Sequence, residues 1–418
     1  MLPAGGPALR WITFLIVVLA AVGVLVPAGP GWDFANFYDT GRRAAAGQLA
    51  DIYHPDRLID GAQPQGSMAY WSPPLSAYFY VPLALLSPLV ALALFKLCGT
   101  VAWMVALWLL VLEHRPHAGP DSAARDRFTL GVAAGVLVFQ PIWAIYRVGG
   151  QTTPFVLLLF TLALRAHVRG RVWAMAATTV VACLVKPAFA LVPAWLLVPS
   201  TWRVPVALAV VGGATALGAV TWIGIPLHLE FLDVVRRGAQ GGFGWPFNSS
   251  LYVVGESLKA AGPAWVAPVN AGVLLAKLVV AGLVGYTAWQ ARTLDAPAAA
   301  RRHCHMLLAI TGALLLSQVV WEHYLALLLP LWTYLLAVRG QLSPQARLLL
   351  CAGLCACVVQ NIVVINVIRT FVPADGVALP TLLACVKSLP LLLTAIFLAH
   401  HRQQWFATYR APSWQARA

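Results

Sequence analysis

Trp11-Ile-Thr-Phe-Leu-Ile-Val-Val-Leu-Ala-Ala-Val-Gly-Val-Leu-Val-Pro-Ala-Gly-Pro30 runs directly into Gly31-Trp-Asp-Phe-Ala-Asn-Phe-Tyr-Asp-Thr-Gly-Arg-Arg-Ala-Ala-Ala-Gly-Gln-Leu-Ala-Asp-Ile-Tyr-His-Pro55. The first stretch carries no charge and is long enough to span the hydrocarbon of a bilayer. Only Arg10 stands before it, and no small-residue cleavage site followed by a polar chain comes after it, so it reads as a retained helix. The second stretch holds Asp33, the first acid of the chain. A carboxylate directly after a spanning run sits where lipid gives way to water, ionised and within reach of a lipid-borne substrate.

The rest of the chain extends this pattern. With 60% hydrophobic and 10% charged residues over 418 positions, the apolar side chains exceed what a water-soluble core can enclose. The sequence therefore describes one polytopic membrane domain over 1–418. Its net charge of +14 comes from basic residues scattered in short loops, without a groove-sized patch or an aromatic-interleaved stripe. That distribution argues for the positive-inside rule and against a nucleic-acid partner. The seven cysteines, Cys351, Cys355 and Cys357 among them, lie in or beside apolar runs and read as small apolar fillers.

Arginines near 115–127, 165–171, 292–302, 339–347 and 402–417 all face the cytoplasm together if both termini are inside. About twelve spans result: 10–29, 89–112, 128–147, 153–168, 172–186, 188–199, 204–225, 264–290, 304–321, 324–338, 347–368 and 379–400. Residues 71–87, broken by Pro73, Pro74 and Pro82, are expected to lie at the surface or to re-enter without crossing. Two outer loops follow, 31–88 and 226–262.

In this topology ten of the fourteen acids face outward: Asp33, Asp39, Asp51, Asp56, Asp60, Glu230, Asp233, Glu256, Glu322 and Asp375. None lies at a midplane, and no internal repeat is visible, both of which count against a coupled ion transporter. The inner loops are too short for a catalytic domain. With no Gly-rich phosphate loop, a soluble nucleotide-sugar substrate is disfavoured. No cofactor is implied and no metal is required, although Asp51, Asp56 and Asp60 offer weak cation ligands.

Each candidate residue has a plain structural alternative. Asp33 serves as a general base or caps the helix that follows it. Lys186, between Val185 and Pro187 with no nearby acid, meets an anion or snorkels to the interface. His323 is a neutral donor, a cation, or an interfacial ring bonded to a carbonyl. Gln151 and Asn248 are natural partners for sugar hydroxyls, or helix caps. Arg147 and the pair Arg236-Arg237, the latter before the glycine-rich 238–244, are further outer-face cations, the pair expected on a mobile loop with lipid-headgroup reach or in a solvated turn. Tyr38 is placed with the donor-binding residues. Glu322 orients His323 or a sugar, though neighbours in sequence point apart on a helix. Lys96 and Lys277, inside spans, are expected to snorkel.

Asp33-Phe34 with Tyr38, Gly47-Gln48-Leu49 and Ile52-Tyr53-His54-Pro55 resembles the first outer loop of glycosyltransferase family 87. These are polyprenyl-phosphate-mannose-dependent mannosyltransferases and relatives with the C-type glycosyltransferase fold. In family order come Tyr70-Trp71-Ser72-Pro73-Pro74, Pro82 to Leu86, Gly150-Gln151, Lys186-Pro187, Asn248 to Leu251, and Ser317 with Trp321-Glu322-His323-Tyr324. The chain departs where the family often has an aromatic-Pro-Pro triplet, here Trp71-Ser72-Pro73-Pro74, and a His-His pair, here His323-Tyr324. The resemblance implies an all-α integral membrane fold, Asp33 as catalytic base and His323 at the active site.

The chemistry so implied is transfer of a hexosyl (mannosyl foremost) or pentosyl group from a polyprenyl-phosphate sugar to a lipid or glycan acceptor. Such an inverting displacement needs one base on the acceptor side and positive charge near the departing phosphate. It needs no second carboxylate as acid, because phosphate leaves without protonation. A flippase of lipid-linked sugars and a non-catalytic subunit of an envelope-building complex remain the alternatives.

Overall fold

The computed structural model describes residues 32–54, 70–119, 121–139, 150–197, 201–240, 248–259, 262–358, 370 and 378–409. The expected first span at 10–29 lies outside them, as do Arg147, Asp56, Asp60 and the glycine-rich 241–247.

The described chain is helical, with one isolated antiparallel bridge, Asn248 to Trp321. In order the helices are α1 (Trp32–Ala45), α2 (Pro88–His114), α3 (Ser122–Val138), α4 (Thr153–Val168) and α5 (Val172–Val185). Next come α6 (Leu191–Leu197), α7 (Arg203–Ile223), α8 (Ile225–Gln240), α9 (Val253–Leu258) and α10 (Val266–Arg292). The last are α11 (Ala298–Leu316), α12 (Leu329–Ala337), α13 (Pro344–Val358) and α14 (Ala378–Tyr409).

Among the described residues, four helical stretches are long and apolar enough to cross a membrane: 88–117, 203–223, 263–292 and 381–409. They expose leucines and valines that water would not tolerate, as at Leu274, Leu275, Leu278 and Val279 of α10, each about 60% exposed. This is an all-helical integral membrane protein. The expected segments 89–112, 153–168, 172–186, 204–225 and 264–290 coincide in position with described helices, while others differ in length. The expected span 188–199 is cut to α6 because Pro187 starts a separate 3-10 turn, Pro187–Phe189. The expected span 324–338 is a 3-10 segment, Glu322–Leu328, followed by the nine-residue α12.

The main core is built where α4 packs on α2, α5 and α11, while α13 and α14 pack together on another flank. α4, α5 and α11 each run from one polar end of the bundle to the other. At one end Arg165 and Arg169 meet Glu113 at 3.3 and 3.4 Å, and Arg302 donates to the Val168 carbonyl. At the opposite end, about 24 Å along the sixteen residues of α4, lie Gln151, Lys186 and Gln318.

Over that second end lies a layer with its own small core. Phe37 of α1 stacks on Tyr80 at 4.9 Å, with Phe34, Tyr53, Tyr70 and Phe95 around them. Glycine at 41 permits the contact, since a Cβ there would lie 2.5 Å from the Tyr80 carbonyl oxygen. Pro74 opens a 3-10 segment, Pro74–Tyr80, and Pro82 sits in the single turn Val81–Ala84. Residues 74–84 are thus too short in regular structure to cross a bilayer. Within the second expected outer loop, by contrast, 225–240 is a full helix rather than a mobile loop.

Candidate functional site

The site begins with a broken helix. Pro187 has no N–H to continue α5, and Lys186 before it adopts extended backbone, φ −141° and ψ 95°. The Phe189 N–H turns to the Lys186 carbonyl, so the Val185 carbonyl loses its helical donor. Ser72 supplies the replacement, its hydroxyl donating to Val185 O at 3.1 Å in a buried contact. The Trp71-Ser72-Pro73-Pro74 segment thereby pins the outer layer onto the break that aims Lys186.

Lys186 Nζ donates to Gln151 Oε1 at 3.0 Å, and Gln151 Nε2 donates to Asp33 Oδ2. The two partners decide the amide's orientation, since a carboxylate accepts only and an ammonium donates only. Lys186 also lies 4.5 Å from the centre of the Tyr324 ring and 3.5 Å from His323 Nε2. Facing an ammonium, that nitrogen is an acceptor, so the proton of a neutral His323 belongs on Nδ1. A cationic His323 beside Lys186 would put two positive charges in contact, so the neutral ring is the form that suits this pairing.

Burial pushes the Asp33 carboxyl above its ordinary range, while the Lys186 charge and the Gln151 hydrogen bond pull it back down. Asp33 lies inside α1, in its first turn, with its carboxylate turned to Gln151. Gly150 sets the spacing. Its φ of +96° suits glycine, and a Cβ there would meet Phe34 Cβ at 2.7 Å, so only glycine lets α1 approach Gln151. Gly150→Ala is expected to cost about 1–3 kcal/mol from forced φ and displaced Phe34. A thermal midpoint equal to wild type in detergent would contradict that.

Asp33, Gln151, Lys186 and His323 are therefore brought together, from α1, the start of α4, the end of α5 and the 3-10 segment before α12. Of the other proposed site residues, Arg147 lies outside the described residues, and the described ones are engaged in other contacts. Asn248 is committed to backbone: its Oδ1 accepts from the Ser250 and Val320 amides at 2.9 and 3.0 Å, and its Nδ2 donates to Gln318 O. It clamps 248–250 to the segment that leads into His323, which accounts for an amide at that position without a sugar. Tyr38 spends its hydroxyl proton on the Leu86 carbonyl, 2.7 Å away. Arg236 and Arg237 are exposed in the last turns of α8, each paired with Asp233, at 2.7 and 2.9 Å. They are helical surface charges, not loop residues aimed at the site.

Glu322 is engaged away from its sequence neighbour. It forms an ion pair with Lys387 of α14 at 2.6 Å, both side chains being buried. Lys387 escaped the sequence reading, although a lysine inside an apolar run was the same signal that singled out Lys186. Lys277 does not snorkel: it donates to Gln318 Oε1 at 2.9 Å and lies over the Tyr252 ring. Lys96 is likewise buried in the protein. Among the described residues, no group of three or more His, Cys, Asp or Glu is arranged to hold a metal ion.

Fold and site together define an integral membrane protein with a charged, hydrogen-bonded centre at one end of its helix bundle. The chain belongs to glycosyltransferase family 87, whose sequence profile matches residues 70–318, so it is a membrane glycosyltransferase. No curated protein matches the chain. The matched range contains Ser72, Gln151, Lys186 and Asn248, whereas Asp33 and His323 flank it and join it through contacts in space.

Proposed function

We propose that the protein transfers a hexosyl (mannosyl foremost) or pentosyl unit, with inversion, from a polyprenyl-phosphate sugar to a lipid or glycan acceptor. The reaction is placed at the outer face of the cytoplasmic membrane, in a C-type glycosyltransferase fold. The observation that carries this reading is the linked set Asp33, Gln151, Lys186 and His323 in a chain of this family.

In the reaction, the acceptor hydroxyl oxygen forms its bond to sugar C1 as its proton passes to the Asp33 carboxylate. The bond from C1 to the phosphate oxygen breaks, and its electron pair leaves with the polyprenyl phosphate. Gln151 holds the carboxylate in place, and Lys186 offsets negative charge at the centre. His323 accepts from Lys186 and keeps the ammonium directed toward Gln151.

The test is transfer from a radiolabelled polyprenyl-phosphate sugar by membranes containing the protein, against membranes without it. Labelled glycolipid or glycan that appears only with the protein supports the reading. Transbilayer movement of the donor without any transfer would replace it with the flippase.

A base must be ionised, so the rate should fall as pH drops through the Asp33 pKa, which burial raises. The acid limb of the pH profile is expected above the ordinary carboxylate value of about 4. Gln151→Ala removes a bond that favours the anion and should move that limb further up. An acid limb unmoved by the substitution would separate Gln151 from the base.

A further inference from the structure

At the polar end opposite the site, the loop between α4 and α5 with the start of α5, and the start of α7, line an open surface cavity of about 600 Å³. Arg171, Trp173, Trp202, Arg203 and Val206 are among its lining residues, and no acid lines it. Among the described residues neither guanidinium is paired with a carboxylate, and Arg203 lies 5.8 Å from the Trp202 ring. Elsewhere at this end Arg165 and Arg169 meet Glu113 and Arg115 meets Asp126, while Arg301 and Arg302 donate to backbone carbonyls. Two unneutralised guanidinium groups facing one concavity call for an anion.

The surroundings say which kind. Trp173 and Trp202 are 54% and 70% exposed, the placement of tryptophan at a membrane interface. From the cavity an exposed apolar stripe runs down α7 through Val206, Val210 and Leu217, one face of the helix directed into the bilayer. An anionic head with acyl chains fits both parts, whereas a free anion uses only the first.

We propose that this cavity binds the headgroup of an acidic glycerophospholipid of the cytoplasmic leaflet, its phosphate between Arg171 and Arg203 and an acyl chain along α7. The site is separate from the sugar-transfer centre, and α5 joins the two, with Arg171 before its first residue and Lys186 after its last.

The experiment is native mass spectrometry of the full chain released from detergent, titrated with phosphatidylglycerol or phosphatidylcholine. Wild type should retain phosphatidylglycerol preferentially. The double variant Arg171→Ala/Arg203→Ala should lose about thirtyfold in that affinity, as two surface arginines predict. Arg171→Lys/Arg203→Lys should keep most of it, and a shared thermal midpoint of the variants establishes that all are folded. Equal retention by the alanine variant, or no preference for phosphatidylglycerol in wild type, overturns the proposal. Displacement of the lipid by submillimolar inorganic phosphate also overturns it, in favour of a free-anion site.

Discussion

Asp33→Asn is expected to lower the transfer rate by about two to four powers of ten, the usual worth of a positioned general base. The substitution keeps the size of the side chain and an oxygen that can accept from Gln151 Nε2, so α1 should stay docked and the thermal midpoint should barely move. The loss should fall on kcat more than on KM for the donor, because a proton acceptor acts in the transition state and not in donor binding. A variant that transfers at the wild-type rate removes Asp33 from the chemistry. One that loses rate only in proportion to a lost fold makes it a structural residue of the outer layer. Gln151→Ala offers a comparison, since it should weaken the reaction less and shift its pH limb.

Lys387→Met is expected to lower stability by about 3–5 kcal/mol, the cost of removing one member of a buried ion pair. The reason lies in Glu322: its carboxylate sits 2.6 Å from Lys387 Nζ with little water nearby, and methionine offers it no countercharge. The double variant Lys387→Met/Glu322→Leu should recover most of the loss, because the pair is then replaced by apolar side chains of similar size. Thermal midpoints of the three proteins in detergent decide the matter. If the single and double variants fall equally, the pair is not what holds α14 to the segment that carries His323. In the single variant transfer should fall with the fold, since Glu322 is bonded to Lys387 next to His323 in sequence.

Positions of helices were legible because hydrophobic runs and their arginine-rich breaks are local signals. The ends of α2, α4, α5, α7 and α10 fall within a few residues of the expected spans. The interruption at Lys186-Pro187 was legible too, since proline breaks the ladder wherever it stands. Lengths were less so: the 3-10 stretch Glu322–Leu328 has the composition of a span, and nothing local in Glu-His-Tyr-Leu-Ala-Leu-Leu forbids an α-helix. The helical state of 225–240 was obscured by its mixed charge, which the structure resolves into Asp233 pairing with Arg236 and Arg237 one turn on.

Of the site, the sequence alone determined the chemistry of the parts: an acid at a membrane exit, a lysine before a proline in an apolar run, a histidine after a break, and the family to which their order belongs. Only the tertiary structure decided which of them meet. Asn248 and Gln151 look alike in the sequence, yet the first is consumed by backbone amides while the second joins Asp33 to Lys186 across 118 and 35 residues. Glu322 adjoins His323 in the chain but pairs with Lys387, 65 residues away. The physical reason is the same in each case. A buried polar group must find a partner of opposite character, and in a helix bundle that partner comes from another helix, at a sequence distance that no local pattern records.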